Sequence, residues 1–193
     1  MRHRAWLSMF ALGLLTSLNL QAGGVRSPSM LANTCAGCHG TNGASAGTQM
    51  PSIGGMDNGY LFSVLSDYKF GVRPSTIMGR IMKGYSDQEI WAIAAFFGEQ
   101  PWVSTDQVAV ADRIHAGREI HERQCESCHE DGGRGQHNES PRMAGQWSGY
   151  LRYALEGCRE IGRRCSPLKM GARVMQLSDA EIESLARFYE SEK

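Results

Sequence analysis

Apolar residues recur at helical spacing in two matching sets along this chain. Tyr60, Leu61, Val64 and Leu65 share one face of a helix that begins after Gly59, and Tyr150, Leu151, Ala154 and Leu155 do the same after Gly149. A later helix in each set carries a narrow apolar stripe: Ile90, Ile93, Ala94 and Phe97 in the first, Ile182, Leu185, Ala186 and Tyr189 in the second. Both stripes read as core-facing. Each of these helices has a clear start, because Ser86 and Ser178 stand three residues before Glu89 and Glu181, the spacing of a capping box. A shorter helix is predicted ahead of each set, over 28–34 and over 110–124. Long loops join the helices, so the fold class is all-α. The first apolar run is of another kind. Arg2, His3 and Arg4 precede an apolar stretch, 5–20, and Leu20-Gln21-Ala22 forms a plausible cleavage site. Residues 1–22 therefore read as a secretory signal peptide, against the alternative of an uncleaved anchor. No later segment is apolar enough to cross a bilayer.

The two sets are copies. Cys35, His39, Pro51, Gly55 and Tyr60 recur ninety residues on as Cys125, His129, Pro141, Gly145 and Tyr150. Towards the end of each set the offset grows to ninety-two, with Met78-Gly79 matching Met170-Gly171 and Ser86 matching Ser178, which places a two-residue insertion within 158–167. A fixed period of this kind marks a duplicated unit. The predicted domains are 23–98 and 110–193. The stretch 99–109 reads as a linker, where Gly98, Pro101, Ser104 and Thr105 interrupt the helical pattern.

At the head of each copy stands Cys-x-x-Cys-His, once as Cys35, Cys38 and His39 and once as Cys125, Cys128 and His129. This is the attachment spacing of a c-type haem. The thiols add to the two vinyl groups along one edge of the porphyrin, and the adjacent His sits beneath the iron as an axial ligand. A pair of zinc or dithiol sites is the alternative, but four cysteines with unrelated histidines rarely give that pattern twice. Two haem c groups are the cofactors expected. They also answer a question of size. Without the signal about 171 residues remain, or about 85 per motif, which is small for a self-sufficient apolar core. A haem supplies the missing core, and the high glycine count of 23 suits loops that lie against it.

The repeat also selects the opposite axial ligand. Met78 and Met170 hold the same place, eight residues before the capping Ser, whereas Met82 and Met175 have no Met counterpart and read as apolar filler. A thioether ligand favours ferrous iron and raises the potential. His115, His121 and His137 also lack counterparts. Each could ligate the second iron in place of Met170, but their isolation points to surface or capping roles. Cys158 and Cys165 remain, seven apart in the inserted stretch. A local disulfide is the default in an oxidising compartment, with a thiolate haem ligand as the competing reading. The charge balance is 20 basic to 20 acidic, and removing Arg2 and Arg4 leaves 18 against 20. That balance gives no reason to expect nucleic acid or anionic lipid as a partner.

The pattern resembles the class I cytochromes c, in which a loop proline presents its carbonyl to the axial imidazole; Pro51 and Pro141, each twelve residues after its His, take that place by resemblance. More specifically, Cys35–Thr41, Pro51–Ile53, Met56-Asp57 and Ser75–Ser86, with Met143–Trp147, Tyr150-Leu151, Tyr153-Ala154 and Lys169-Met170 in the second copy, look like the di-haem cytochrome subunit of flavocytochrome c sulfide dehydrogenase. The wider pattern is shared with cytochromes c4. Cys158 and Cys165 depart from it. The resemblance implies a periplasmic electron-transfer subunit without catalysis of its own. It would take electrons from an FAD-containing flavoprotein that oxidises sulfide and pass them to an external acceptor such as a small cytochrome c. No flavin-binding glycine fingerprint stands in this sequence, so the flavin would belong to the partner. A free-standing di-haem carrier of the cytochrome c4 type is the second reading, and a haem enzyme such as a peroxidase or thiosulfate-oxidising cytochrome the third.

Overall fold

A computed structural model describes residues 26–107, 111–161, 165 and 167–193. The signal segment 1–22 and the last two linker positions, 108 and 109, lie outside the described residues. Helices dominate: α1 (Pro28–Asn33), α2 (Ala36–His39), a 3-10 turn (Thr41–Gly43), α3 (Asn58–Phe70), α4 (Met78–Met82) and α5 (Asp87–Gly98) form the first lobe. Then α6 (Ala111–Gln124), α7 (Glu130–Gly133), α8 (Ser148–Ile161), α9 (Leu168–Val174) and α10 (Asp179–Ser191) form the second. Among the described residues no strand forms, and one isolated bridge joins His137 to Ser140.

Local chemistry sets the helix ends. Ser27 accepts the Met30 N–H ahead of Pro28, and Asp57 accepts the Tyr60 N–H at the start of α3. Gly71 closes α3 in the left-handed region at φ 72°, where its N–H reaches the Asp67 and Tyr68 carbonyls. Both capping boxes form as the sequence predicts. Ser86 and Ser178 each accept the N–H of the Glu three residues on, and each Glu carboxylate accepts the Ser N–H in return.

The stripes face inward. Ile90, Ile93, Ala94 and Phe97 are buried in the first lobe, and Ile182, Leu185, Ala186 and Tyr189 in the second. In the first lobe α5 packs on α1 and α3, with Leu31, Met56 and Leu61 filling the space between. In the second, α10 crosses α6, which is much longer than its counterpart α1, and also meets α8. Gly117 lets those two helices approach, since a Cβ there would lie 2.6 Å from Phe188 Cβ and would also strike the Ser184 carbonyl. A disulfide joins Cys158 to Cys165, and both residues sit in this core beside Leu155, Val174 and Leu177.

The lobes meet through a polar seam. Gln146, fully buried, donates from Nε2 to the Ser52 carbonyl at 2.8 Å and accepts the Ser52 N–H on Oε1 at 2.9 Å. Trp147 donates its indole N–H to the Ser45 carbonyl at 3.0 Å. Gln136 donates to Gly55 O and accepts from Asp57 N, at 2.8 and 2.9 Å. The contact has an approximate two-fold character: Asn138 of the second lobe lies over Gly59, and Thr48 and Gln49 of the first lie over its counterpart Gly149.

Candidate haem sites

Each Cys-x-x-Cys-His segment turns tightly enough for its histidine N–H to bond the carbonyl of the first cysteine, His39 to Cys35 at 3.0 Å and His129 to Cys125 at 2.9 Å. This backbone turn places both thiols and the imidazole within a few residues of chain. All four thiols are free. Cys35 and Cys125 are half-buried, while Cys38 and Cys128 are exposed. Burial raises the Cys35 thiol, opposed by a hydrogen bond from Thr34, and burial likewise raises that of Cys125. The first cysteine of each pair is therefore held as a thiol, the species that adds to a vinyl group.

Both imidazoles are buried. His39 Nδ1 lies 2.9 Å from the Pro51 carbonyl. A carbonyl only accepts, so Nδ1 carries the proton and Nε2 keeps its lone pair for a metal. Burial pushes the His39 pKa down, with the Pro51 bond opposing. His129 is pushed down to about 4, by burial first and then by the charges of His121 and His137. It too is neutral at neutral pH. Its Nδ1, however, is buried without a hydrogen-bond partner, so the bond expected from the Pro141 carbonyl is not formed. The local backbone differs between lobes. In the first, α2 carries the motif and Gly40 turns the chain at φ 74°; in the second, α7 starts immediately after His129, with Asp131 and Gly132 in the left-handed region.

Met78 opens α4 and is half-buried, and Ile81, one turn on, is exposed on the same face. Met82 is buried in the core. Met170 lies in α9, half-buried and packed against the second core. Met175 is half-exposed, so it is not the filler the sequence suggested. His115 and His137 are on the surface, the latter accepting the Glu139 N–H. His121 is a correction. It is not a surface group but lies 1% exposed inside the second lobe, because it takes the place that Leu31 holds in the first copy.

Among the described residues no group of three or more His, Cys, Asp or Glu could hold a metal ion. The donors here suit a different arrangement: a neutral buried imidazole, two thiols on its own turn and a half-buried thioether, once per lobe. These residues fit a covalently attached haem. Cys35 and Cys38, or Cys125 and Cys128, would hold it, His39 or His129 would ligate the iron, and one-electron redox chemistry is what the group supplies.

The fold and these two sites define the class, a class I cytochrome c present twice in one chain. The family model described as cytochrome c matches residues 28–99, and that described as cytochrome c oxidase, cbb3-type, subunit III matches 112–188. The chain is 30% identical over 195 residues to the thiosulfate dehydrogenase electron acceptor of Stutzerimonas stutzeri, covering 91% of this chain and 89% of that one. It is 49% identical over 69 residues to the cytochrome subunit of sulfide dehydrogenase of Chlorobaculum tepidum, a match spanning 36% of this chain and 62% of that subunit's length. Reduced recombinant cytochrome c4 from Pseudomonas stutzeri superposes with a TM-score of 0.77 over 89% of this chain and all of that one, at 24% identity. The chain belongs to the di-haem cytochromes c related to cytochrome c4, with one haem c per lobe.

Proposed function

We propose that this chain is the di-haem electron-transfer subunit of a sulfide-oxidising system, taking electrons from an FAD-containing flavoprotein and passing them to an external acceptor such as a small cytochrome c. The axial pairs in this reading are His39 with Met78 and His129 with Met170, in domains 23–98 and 110–193. Export to the periplasm follows from the signal-like residues 1–22, since covalent haem attachment in bacteria occurs outside the cytoplasm. Among the described residues no helix is long and apolar enough to cross a membrane.

The observation that carries the choice of partner is the 49% identity to the cytochrome subunit of a sulfide dehydrogenase, well above the level seen with the other relatives. A free-standing carrier of the cytochrome c4 type is favoured instead by the match along nearly the whole chain to an electron acceptor of thiosulfate dehydrogenase. Isolation from the native source decides. A co-purifying yellow subunit with an FAD spectrum, and reduction of the haems by sulfide only in its presence, supports the first reading. A flavin-free chain reduced by a thiosulfate dehydrogenase supports the second. A change in the ferrous spectrum on adding an external ligand would point to an open iron and a haem enzyme.

A further inference from the structure

The two lobes differ most at one buried place. In the first, Leu31, Ala36 and Phe97 surround the start of the haem-attachment turn, and Leu31 and Phe97 are fully buried. In the second, the matching residues are His121, Glu126 and Tyr189. An apolar corner has become a connected polar chain. His121 Nδ1 lies 2.9 Å from the Tyr189 hydroxyl, and its Nε2 is bonded to the Glu126 carboxylate. The Tyr189 hydroxyl also lies beside Cys125 Sγ, the sulfur that becomes the thioether link to the haem. Phe188 stacks on the imidazole at 5.1 Å, so the ring is held on one face by an aromatic wall.

Burial isolates this chain from water at His121 and Tyr189, while the Glu126 side chain is 45% exposed and gives it an outlet. The groups facing it are few. From α10 comes Tyr189 and, just past its end, Glu192, which is occupied by Arg118 and Arg134. From α7 comes the Asp131 N–H, donated to the other Glu126 oxygen at 3.0 Å. Arg173 of α9 acts on Cys125, and His129 and His137 share the neighbourhood of His121. Burial raises the Glu126 carboxyl, but His121 and the Asp131 and Gly132 N–H groups outweigh it and hold it below the usual range. Glu126 is therefore a carboxylate, which only accepts. His121 Nε2 therefore donates to it, and Nδ1 is the ring nitrogen that meets the Tyr189 hydroxyl.

We propose that Glu126, His121 and Tyr189 form a proton relay ending on the haem-bearing sulfur of Cys125, and that it makes the potential of the C-terminal haem, alone of the two, depend on pH. When one electron reaches the C-terminal lobe from its redox partner, one proton from solvent is taken up, ending on His121 Nδ1. The protonated imidazole donates from both nitrogens, so the Tyr189 oxygen becomes an acceptor and its O–H turns to Cys125. A thioether sulfur can only accept, and that bond and the added positive charge both favour the reduced state. The N-terminal lobe also sets a hydroxyl on its sulfur, that of Thr34 on Cys35, but with Leu31, Ala36 and Phe97 it has no imidazole and no carboxylate to deliver a proton there.

The test is potentiometric titration of the holoprotein followed by visible spectra and haem-methyl NMR, from about pH 5 to 9. It needs no partner protein, so its outcome is independent of the sulfide assignment. The expected result is a C-terminal midpoint that falls as pH rises while the N-terminal midpoint stays level. His121→Leu, which copies the first lobe, should abolish the slope and lower the C-terminal midpoint at acid pH. Tyr189→Phe keeps the packing of Phe97 and should reduce the slope by at least half. Equal slopes in both haems, a level C-terminal midpoint in the native protein, or a slope unchanged in Tyr189→Phe would each overturn the proposal.

Discussion

Gln146 is the residue on which the union of the lobes most depends, and Gln146→Ala measures how much. Its amide makes three hydrogen bonds: to the Ser52 carbonyl, from the Ser52 N–H, and from the Trp147 N–H at 3.1 Å. Gln146 is fully buried and Ser52 is 2% exposed. Truncation therefore strands both Ser52 backbone groups away from water. A buried donor or acceptor left unmade costs about 1–3 kcal/mol, so the two together cost about 2–6 kcal/mol. Water entering the vacated space brings the loss towards the lower end. None of this falls on the cores of the separate lobes, so the loss is specific to their association. Calorimetry of the holoprotein should show the native chain unfolding in one transition and the variant in two, with the lobes melting apart. Gln146→Glu probes the same point differently, since a carboxylate cannot donate to Ser52 O and must be buried. A loss below about 1 kcal/mol in Gln146→Ala, or a single unshifted transition, would refute the claim that this amide couples the lobes.

Three further outcomes follow from the geometry. Gly117→Ala drives a methyl into Ser184 and Phe188; overpacking of this kind costs about 1–3 kcal/mol, and chemical denaturation should show it in the second lobe only. Met78→Ala and Met170→Ala should each lower the midpoint of one haem and leave the other, because a thioether is the ligand that raises it; loss of both haems from one change would contradict two independent sites. The Glu89 and Glu181 carboxyls are held low, first by the N–H groups of Ser86 and Ser178. A carboxyl lowered on folding stabilises above its unfolded pKa, about 4.3, and that contribution is lost as pH falls through its lowered folded value. The melting-temperature difference between the native protein and the double variant Glu89→Gln, Glu181→Gln should thus be present at neutral pH and vanish in acid.

Much of the molecule was legible in the sequence where the information is local. The capping boxes at Ser86 and Ser178 form because Ser and Glu three apart satisfy each other without tertiary help, and the stripes of α5 and α10 face inward because their period is that of the helix. The histidines show the limit. His121 lacks a His counterpart, and isolation suggested the surface. The missed signal lay in what replaced what: Leu31, Ala36 and Phe97 become His121, Glu126 and Tyr189, three polar changes at three places a fold brings together. A polar residue entering a core position survives when its hydrogen-bond partners enter with it, so correlated replacement between the copies was the clue. His129 shows the reverse. Its Cys-x-x-Cys-His spacing is that of His39, but the left-handed turn after it falls at Asp131 and not at the place of Gly40, and Pro141, the counterpart of the proline that meets His39, leaves His129 Nδ1 without a partner.

The seam between the lobes was unreadable for a more basic reason. Gln136, Gln146 and Trp147 all belong to the second lobe, and every group they bind in the first is main chain: Gly55 O, Asp57 N, Ser52 N and O, Ser45 O. A backbone amide has the same chemistry whatever its side chain, so one half of this recognition leaves no mark in composition or motif. It also explains how a duplicated unit can acquire a fixed mate. The first lobe offers groups that every loop possesses, made available by the path of the chain around Ser52 and Gly55. For these bonds only the second needs new side chains, and Met56 and Asp57 stand where it has Gln146 and Trp147, while Arg73 of the first lobe meets Tyr150 elsewhere in the contact. Side chain to backbone bonds of this kind fix distance and orientation, because both partners of each bond are already held by their own lobe. For two redox centres in one chain that fixity is the useful consequence. The seam holds the separation between them, so Gln146→Ala should slow electron exchange between the lobes, and an unchanged rate would refute that role.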